Sequence, residues 1–322
     1  MGEKLTGDYL QFRYSVLVAT RNRPEALANL LTSLETLDLP PIEVVIVSSG
    51  LSINHTLRQF DTLNIKHAHT QKRGQIWQKQ LGITLVSEAS DWVLFLDDDL
   101  ILHPDALSKL FKCLKEEENQ EKILGLGLRQ YPVRNLSCLK RLMLSFMKFN
   151  SPGSITRTSV NTNYMFENRK TYTSWLNGAS MWRKGVLPLY SFEILNSPTS
   201  YCEDLIFSYR VSKKGKLVAA PNAYFQFQNN SHLQVTSLTT FRDAVFWKAY
   251  FILDNREFSF LLFYSRQLLV SIYLLIKYLM KTGRIYPYPM VMFDLLVDLI
   301  GLRIHGRDFF LKRLQNRLNA SR

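Results

Sequence analysis

The chain has 322 residues, 46% of them hydrophobic and 21% charged. That excludes a chain too polar to bury a core, and the length suits one large domain or two smaller ones. The formal net charge of +13 calls for an anionic partner: a nucleotide, a nucleic acid or a membrane surface. Cys113, Cys138 and Cys202 lie far apart and form no CxxC pair. They read as reduced thiols of a cytosolic protein. The first residues hold no apolar stretch long enough for a signal peptide.

Tyr14–Ala19 is a short apolar run rich in β-branched residues and reads as a strand. Pro24 suits the first turn of a helix. Ala26, Leu27, Leu30, Leu31 and Leu34 then recur at helical spacing until Pro40-Pro41 stops it. Ile42–Val47 is a second strand, ending in the turn Ser48-Ser49-Gly50. This is a βαβ unit, the building block of a parallel sheet with right-handed crossovers. Leu57–Phe60 reads as a short helix and Asn64–His67 as a weak strand. A polar turn, Gln71-Lys72-Arg73-Gly74, precedes a helix over Gln75–Ser87.

The organising stretch comes next. Trp92–Leu96 is apolar and ends abruptly in Asp97-Asp98-Asp99. An apolar run bounded by polar residues reads as a buried parallel strand. The acids then stand at its carboxyl end, where open α/β sheets bind ligands. Three adjacent carboxylates suit a hard divalent cation, Mg²⁺ or Mn²⁺, shared with substrate phosphates. A solvated turn capping the next helix is the plainer alternative. Pro104–Glu118 is amphipathic and Ile123–Leu128 is another strand.

Leu136–Phe149 reads as a helix with cations on one side. Asn150–Lys170 is polar and long enough for a lid or binding loop. In Trp175-Leu176-Asn177-Gly178-Ala179, the small residues allow close backbone approach to a ligand or to a packed helix. Glu203 and Asp204 sit at a helix start, where negative charge is favoured; capping and general-base work both use that place. Gly215 ends the helix and Lys216–Ala220 is the last strand.

The order of these segments resembles glycosyltransferase family 2, with its GT-A fold. SVLVATRNRPEALANLLTSL looks like the opening strand and helix, and WVLFLDDDL like the DxD element. WLNGASMWRKGVL looks like the acceptor-side segment, and CEDLIFSYRVSKKGKL like the Glu-Asp element. The resemblance implies an α/β fold: a Rossmann-like, mostly parallel sheet flanked by helices. It implies a metal-dependent, inverting transfer of sugar from a nucleotide-sugar donor to a hydroxyl of a glycan or lipid-linked acceptor. Asp204 would be the general base, with Glu203 beside it. Thr20, Arg21, Asn22, Ser48, Arg73, Asp97 and Asp98 would line the donor site. Trp175, Asn177, Gly178 and Ala179 would face the acceptor. Asp99 and Asp97 would hold Mn²⁺ or Mg²⁺, with His232 as a further ligand.

Some residues depart from the family pattern. Ser48-Ser49 stand where members often carry a base-contacting Asp. Lys79-Gln80 stand near a usual Arg-Asn pair. Gln228 ends a strand that often leads to a ligating His. A catalytically inactive relative that binds a glycan or partner protein, or a nucleotidyltransferase, are the alternative readings.

Residues 1–235 are expected to form the catalytic domain and 236–322 a basic helical region. Phe241–Met280 is strongly apolar, but Arg256, Arg266 and Lys277 interrupt it, so no uncharged run reaches the ~18–20 residues of a spanning helix. A cationic stripe on an apolar helix suits a membrane interface. A helix packed on the catalytic domain has the same pattern. Met290–Leu302 is a further apolar helix, and the tail from Arg303 is basic enough to attract anionic lipid. The expectation is a cytoplasmic protein held peripherally at the inner face of the cell membrane, with no nucleic-acid partner.

Overall fold

The computed structural model describes residues 12–132, 153–156, 161, 168–192, 200–228, 238–282 and 288–320. The reading of Leu136–Phe149 as a helix, most of the proposed lid, and His232 lie outside the described residues. The chain forms two compact units.

The first unit is built on one nine-stranded sheet. Its strands are β1 (Tyr14–Arg21), β2 (Glu43–Ser49), β3 (Ile65–His69), β4 (Trp92–Asp97), β5 (Leu100–Leu102), β6 (Ile123–Gln130), β7 (Thr171–Thr173), β8 (Ser180–Arg183) and β9 (Lys216–Phe227). They run in the order β3-β2-β1-β4-β8-β6-β9-β5, with β7 paired to β9. The half β3-β2-β1-β4 is parallel. β8 is antiparallel to both β4 and β6, and β5 and β7 are antiparallel to β9. These three are short strands of three or four residues, too short to show a period in sequence.

Five helices belong to the sheet: α1 (Pro24–Glu35), α2 (Asn54–Leu57), α3 (Gln75–Leu85), α4 (Ala106–Lys115) and α5 (Glu203–Ser212). Leu27, Leu30, Leu31 and Leu34 of α1 are buried on one face, as their spacing requires. α3 lies directly on the sheet. A Cβ at Gly82 would stand 2.1 Å from Leu17 Cδ1 of β1, so only glycine permits this approach. That contact fixes the N-terminal turns of α3 over the ends of β1 and β4. Phe207 anchors α5, its ring lying 6.1 Å from that of Phe95 in β4 and 4.5 Å from that of Trp182 in β8.

The second unit holds the C-terminal helices α6 (Leu238–Asp254), α7 (Phe260–Thr282) and α8 (Tyr288–Ala320). The apolar stretch Phe241–Met280 is therefore two helices. Asn255 breaks it: its side chain donates to the Phe251 carbonyl at 2.7 Å, and its own carbonyl accepts from Phe258 at 3.1 Å. α8 runs well beyond Leu302 and is interrupted at Gly306, where φ is +63°. Arg313 of the basic tail folds back onto the fully buried Asp298 at 2.7 Å. A buried carboxylate needs such a partner, so this cation is committed within the fold.

Candidate active site

Strand register levels the carboxyl ends of the parallel half. Thr20 pairs with Ser48, Arg21 with Ser49, and Ala19 with Asp97. The three loops that follow β1, β2 and β4 therefore open on one edge, the place where such sheets bind ligands.

The acids of the turn part company there. Asp97 accepts from Gln75 Nε2 at 2.6 Å, and the buried Lys79 ammonium stands 3.6 Å from the same oxygen. Asp98 turns to β1, where Thr20 Oγ1 donates to it at 2.8 Å. One nitrogen of Arg23 lies 3.1 Å from Asp98 and 3.2 Å from Asp99. Burial pushes the Asp98 carboxyl above its ordinary range; Thr20 and Arg23 pull it back, and the Asp99 charge adds to the rise. The neighbouring α3 residue Gln78 donates to the carbonyls of Thr20 and Val47 at 2.7 and 2.8 Å, tying the ends of β1 and β2 together.

Gly178 meets this cluster from the other side. A Cβ there would stand 2.6 Å from Asp97 Oδ2, so the backbone of the small-residue segment abuts the carboxylate. Asn177 locks the segment: its amide donates to the Leu128 carbonyl at 3.3 Å, and its oxygen accepts from Ala179 N at 3.1 Å. Trp175 is buried, and its backbone N–H bonds Thr173. Ser208 of α5 accepts from Leu176 N at 2.9 Å. Asp204 stands one turn before Ser208 on the same helix, which places it on the face that grips this segment. Glu203 begins the helix.

The β2 side is furnished differently. Ser48 Oγ lies 2.8 Å from His67 Nε2 and 3.0 Å from His69 Nδ1. One hydroxyl proton serves only one of them, so the other ring must donate to Ser48. Burial, then the neighbouring His69, holds the His67 pKa below its ordinary value. Ser49 Oγ is buried without a hydrogen-bond partner. Asn22, at φ +56°, accepts from Leu51 N at 2.8 Å, and a Cβ at Gly50 would meet its oxygen at 2.0 Å. Asn22 thus braces the two loops against each other. Arg21 and Arg73 are exposed at the rim.

Residues 15–133 match the family model described as Glycosyl transferase family 2. This segment is a glycosyl transferase family 2 domain. No curated protein matches the chain in sequence. Among solved structures, residues 1–349 of S. aureus TarS in complex with UDP-GlcNAc align with a TM-score of 0.55 and 15% identity, over 96% of this chain and 92% of that one. A longer S. aureus TarS chain aligns at 0.49 and 17% identity, over 76% of this chain; the chain spans 40% of the length of that relative. A mannosyltransferase from Pyrobaculum calidifontis, in complex with GDP-Man and Mn²⁺, aligns at 0.48 and 14% identity, over 75% and 62%. The fold is GT-A, and the domain is that of a glycosyltransferase.

The carboxylate oxygens of Asp98 and Asp99 are hard donors of the kind a divalent cation takes. Among the described residues no three His, Cys, Asp or Glu side chains form a cation cluster. Mg²⁺, however, needs only one or two carboxylates beside substrate phosphates and water. Asp98 and Asp99 supply hard oxygen at one point, where a cation (Arg23) already sits.

Four residues of the site carry no signal at the level of sequence. Arg23 reads only as the residue before a helix. His67 reads as the end of a weak strand, and His69 lies beyond it. Gln228 reads as a missing histidine, yet it stitches the acidic turn to α1. Its N–H donates to the Asp99 carbonyl at 3.0 Å, its amide donates to the Ala26 carbonyl at 2.8 Å, and its oxygen accepts from Asn29 at 3.0 Å. Of the two residues near the usual Arg-Asn pair, Lys79 pairs with Asp97, whereas Gln80 bonds the Tyr190 carbonyl.

Proposed function

We propose that the chain is an inverting glycosyltransferase, moving a sugar from a nucleotide-sugar donor to a hydroxyl of a glycan or lipid-linked acceptor in surface polysaccharide synthesis. The observation that carries this reading is the level edge of Thr20, Ser48 and Asp97, closed from the acceptor side by the Gly178 backbone. That edge offers a nucleoside one wall, a carboxylate beside the ribose and cations for a diphosphate. The fold-level likeness to the UDP-GlcNAc complex of TarS is in keeping with it.

In the reaction, Asp204 takes the acceptor proton, with Glu203 beside it. The acceptor oxygen attacks the anomeric carbon from the face opposite the leaving diphosphate, and the bond between sugar and phosphate breaks. Negative charge grows on the diphosphate. Arg23, with Arg21 and Arg73 exposed at the end of β1 and in the loop after β3, offsets it. Asp99, with Asp98, would hold Mn²⁺ or Mg²⁺, which would supply Lewis-acid stabilisation of the leaving diphosphate. Asp97, steadied by Gln75 and Lys79, orients the donor. Trp175, Asn177 and Ala179 shape the acceptor side, and His232 is a further ligand candidate.

The second unit serves as the membrane contact. No helix among the described residues is long and apolar enough to cross a membrane. On α7, Leu261, Leu269, Tyr273, Ile276 and Met280 are exposed on one face, at 52–84% of full exposure. Phe263, Gln267 and Ser271 are buried on the opposite face. α8 carries a second exposed stripe: Phe293, Val297, Ile300 and Ile304. Residues 260–322 hold ten Lys or Arg against three Asp. Apolar stripes on a basic helical hairpin suit the interface of an anionic bilayer at the cytoplasmic face.

The test is a thermal-shift panel of nucleoside diphosphates and nucleotide sugars, each with and without Mn²⁺. Binding to the native state raises its stability by mass action. A metal-dependent shift with one base is expected. A cooperative melt that no nucleotide moves would overturn the donor site.

A further inference from the structure

We propose that Arg23 is a resident counter-cation of the acidic turn, which exchanges its carboxylate partners for the donor diphosphate when a divalent ion binds. The proposal rests on the donor-site reading above. Asp98 and Asp99 are both buried and adjacent, so their like charges cannot stand together without compensation. A single guanidinium nitrogen supplies it, at 3.1 and 3.2 Å from the two carboxylates. The Arg23 side chain is 52% exposed, against 7% and 12% for the side chains it pairs with. The cation therefore reaches in from the open edge of the sheet and caps the pair from outside.

A divalent ion satisfying the same oxygens must contest this place with the guanidinium. Two cations cannot share one carboxylate pair at close range without repulsion. An arginine displaced from the pair has a natural next partner. Guanidinium matches phosphate oxygens as a planar fork. Arg23 stands directly before α1, whose N-terminus opens on the same edge with its own partial positive charge. No bond breaks in the exchange: the ion takes the carboxylates and the arginine takes the diphosphate. The acidic turn is thus neutralised both before and after the donor arrives. Arg23 acts as a positioning residue for the donor and sets the threshold for metal binding.

The experiment compares full-length wild type, R23Q and R23K by calorimetric titration, first with Mn²⁺ alone and then with inorganic pyrophosphate at saturating Mn²⁺. Removing the competing cation is expected to tighten Mn²⁺ binding about tenfold in R23Q. Removing the fork is expected to weaken pyrophosphate by about tenfold or more. R23K, which keeps the charge without the fork, is expected to hold the wild-type Mn²⁺ affinity while still weakening pyrophosphate. The opposite signs in R23Q distinguish this from a structural role, which lowers both affinities together. Mn²⁺ binding that is absent, unchanged or weaker in R23Q overturns the counter-cation. Unchanged pyrophosphate binding overturns the exchange. If R23Q does not melt cooperatively, R23K decides by the pyrophosphate arm. Failure of the donor-site reading shows separately, as wild type that binds Mn²⁺ and pyrophosphate yet no nucleotide.

Discussion

The Lys79 ammonium, buried within α3, stands 3.6 Å from the carboxylate of Asp97 at the end of β4. A buried ammonium is costly unless paired, and Asp97 is the partner that faces the site. The pair couples helix packing to the proposed donor edge. Lys79→Met is expected to leave the fold intact, with a loss of about 1–2 kcal/mol because Asp97 is partly solvated. It should raise the KM for donor about tenfold. Denaturant melts and donor saturation curves check both. An unchanged KM would show that the pair serves stability alone.

Gly178, just before β8, faces the same carboxylate from the side proposed for the acceptor. A methyl group at 2.6 Å from Asp97 Oδ2 forces the carboxylate to turn. Gly178→Ala should therefore lower kcat/KM by about tenfold or more, since an ~1 Å misplacement at a site costs rate steeply. Far-ultraviolet circular dichroism should be unchanged. Wild-type kinetics in this variant would detach Asp97 from the donor.

Asp204 and Asp99 carry the proposed chemistry. Asp204→Asn and Asp99→Ala should each reduce transfer by about 10²–10⁴-fold while melting near the wild-type temperature. Asp204→Asn should keep nucleotide binding, because it removes only the base. Full turnover in either variant removes the role assigned to that residue.

The exposed stripe of α7 predicts vesicle binding. Leu261→Glu with Leu269→Glu places charge on an exposed face and should leave the melting temperature unchanged. Sedimentation with vesicles rich in phosphatidylserine should fall about tenfold or more, and the wild-type protein should bind neutral vesicles far less. Equal sedimentation of variant and wild type would sever this face from the membrane.

Acid should weaken the sheet through Glu43. Burial pushes its carboxyl up, but Lys66, Ser15 and the Ser87 N–H outweigh burial and hold it below the ordinary value. A depressed carboxylate contributes stability above its unfolded pKa and loses it as pH falls through the folded one. Unfolding free energy should thus decline from about pH 4.5 downward, and Glu43→Gln should flatten that decline. Melts in denaturant across this range test it; a slope unchanged by the substitution would exclude Glu43 as the cause.

The parallel half of the sheet was legible because burial on both faces makes each strand a continuous apolar run. β1, β2 and β4 follow that rule over nearly all their length. The acids at the end of β4 were legible for the same reason: charge that stops an apolar run must stand at an edge. Leucine spacing likewise announced α1. The sequence also showed that the C-terminal third is apolar, basic and helical.

What charge does with charge lay outside that reach. Adjacent Asp97, Asp98 and Asp99 look alike in a linear chain. Strand pleat and the bend after β4 send one to Gln75 and Lys79 and two to Arg23. Ser48 gains two histidines only because β3 lies beside β2. Such partners are tens of residues apart, and no local period encodes them. The hydrophobic pattern settles which residues go inside, since burial is non-directional and additive. Which polar group meets which is settled by distances of about 3 Å, and only the folded chain sets those.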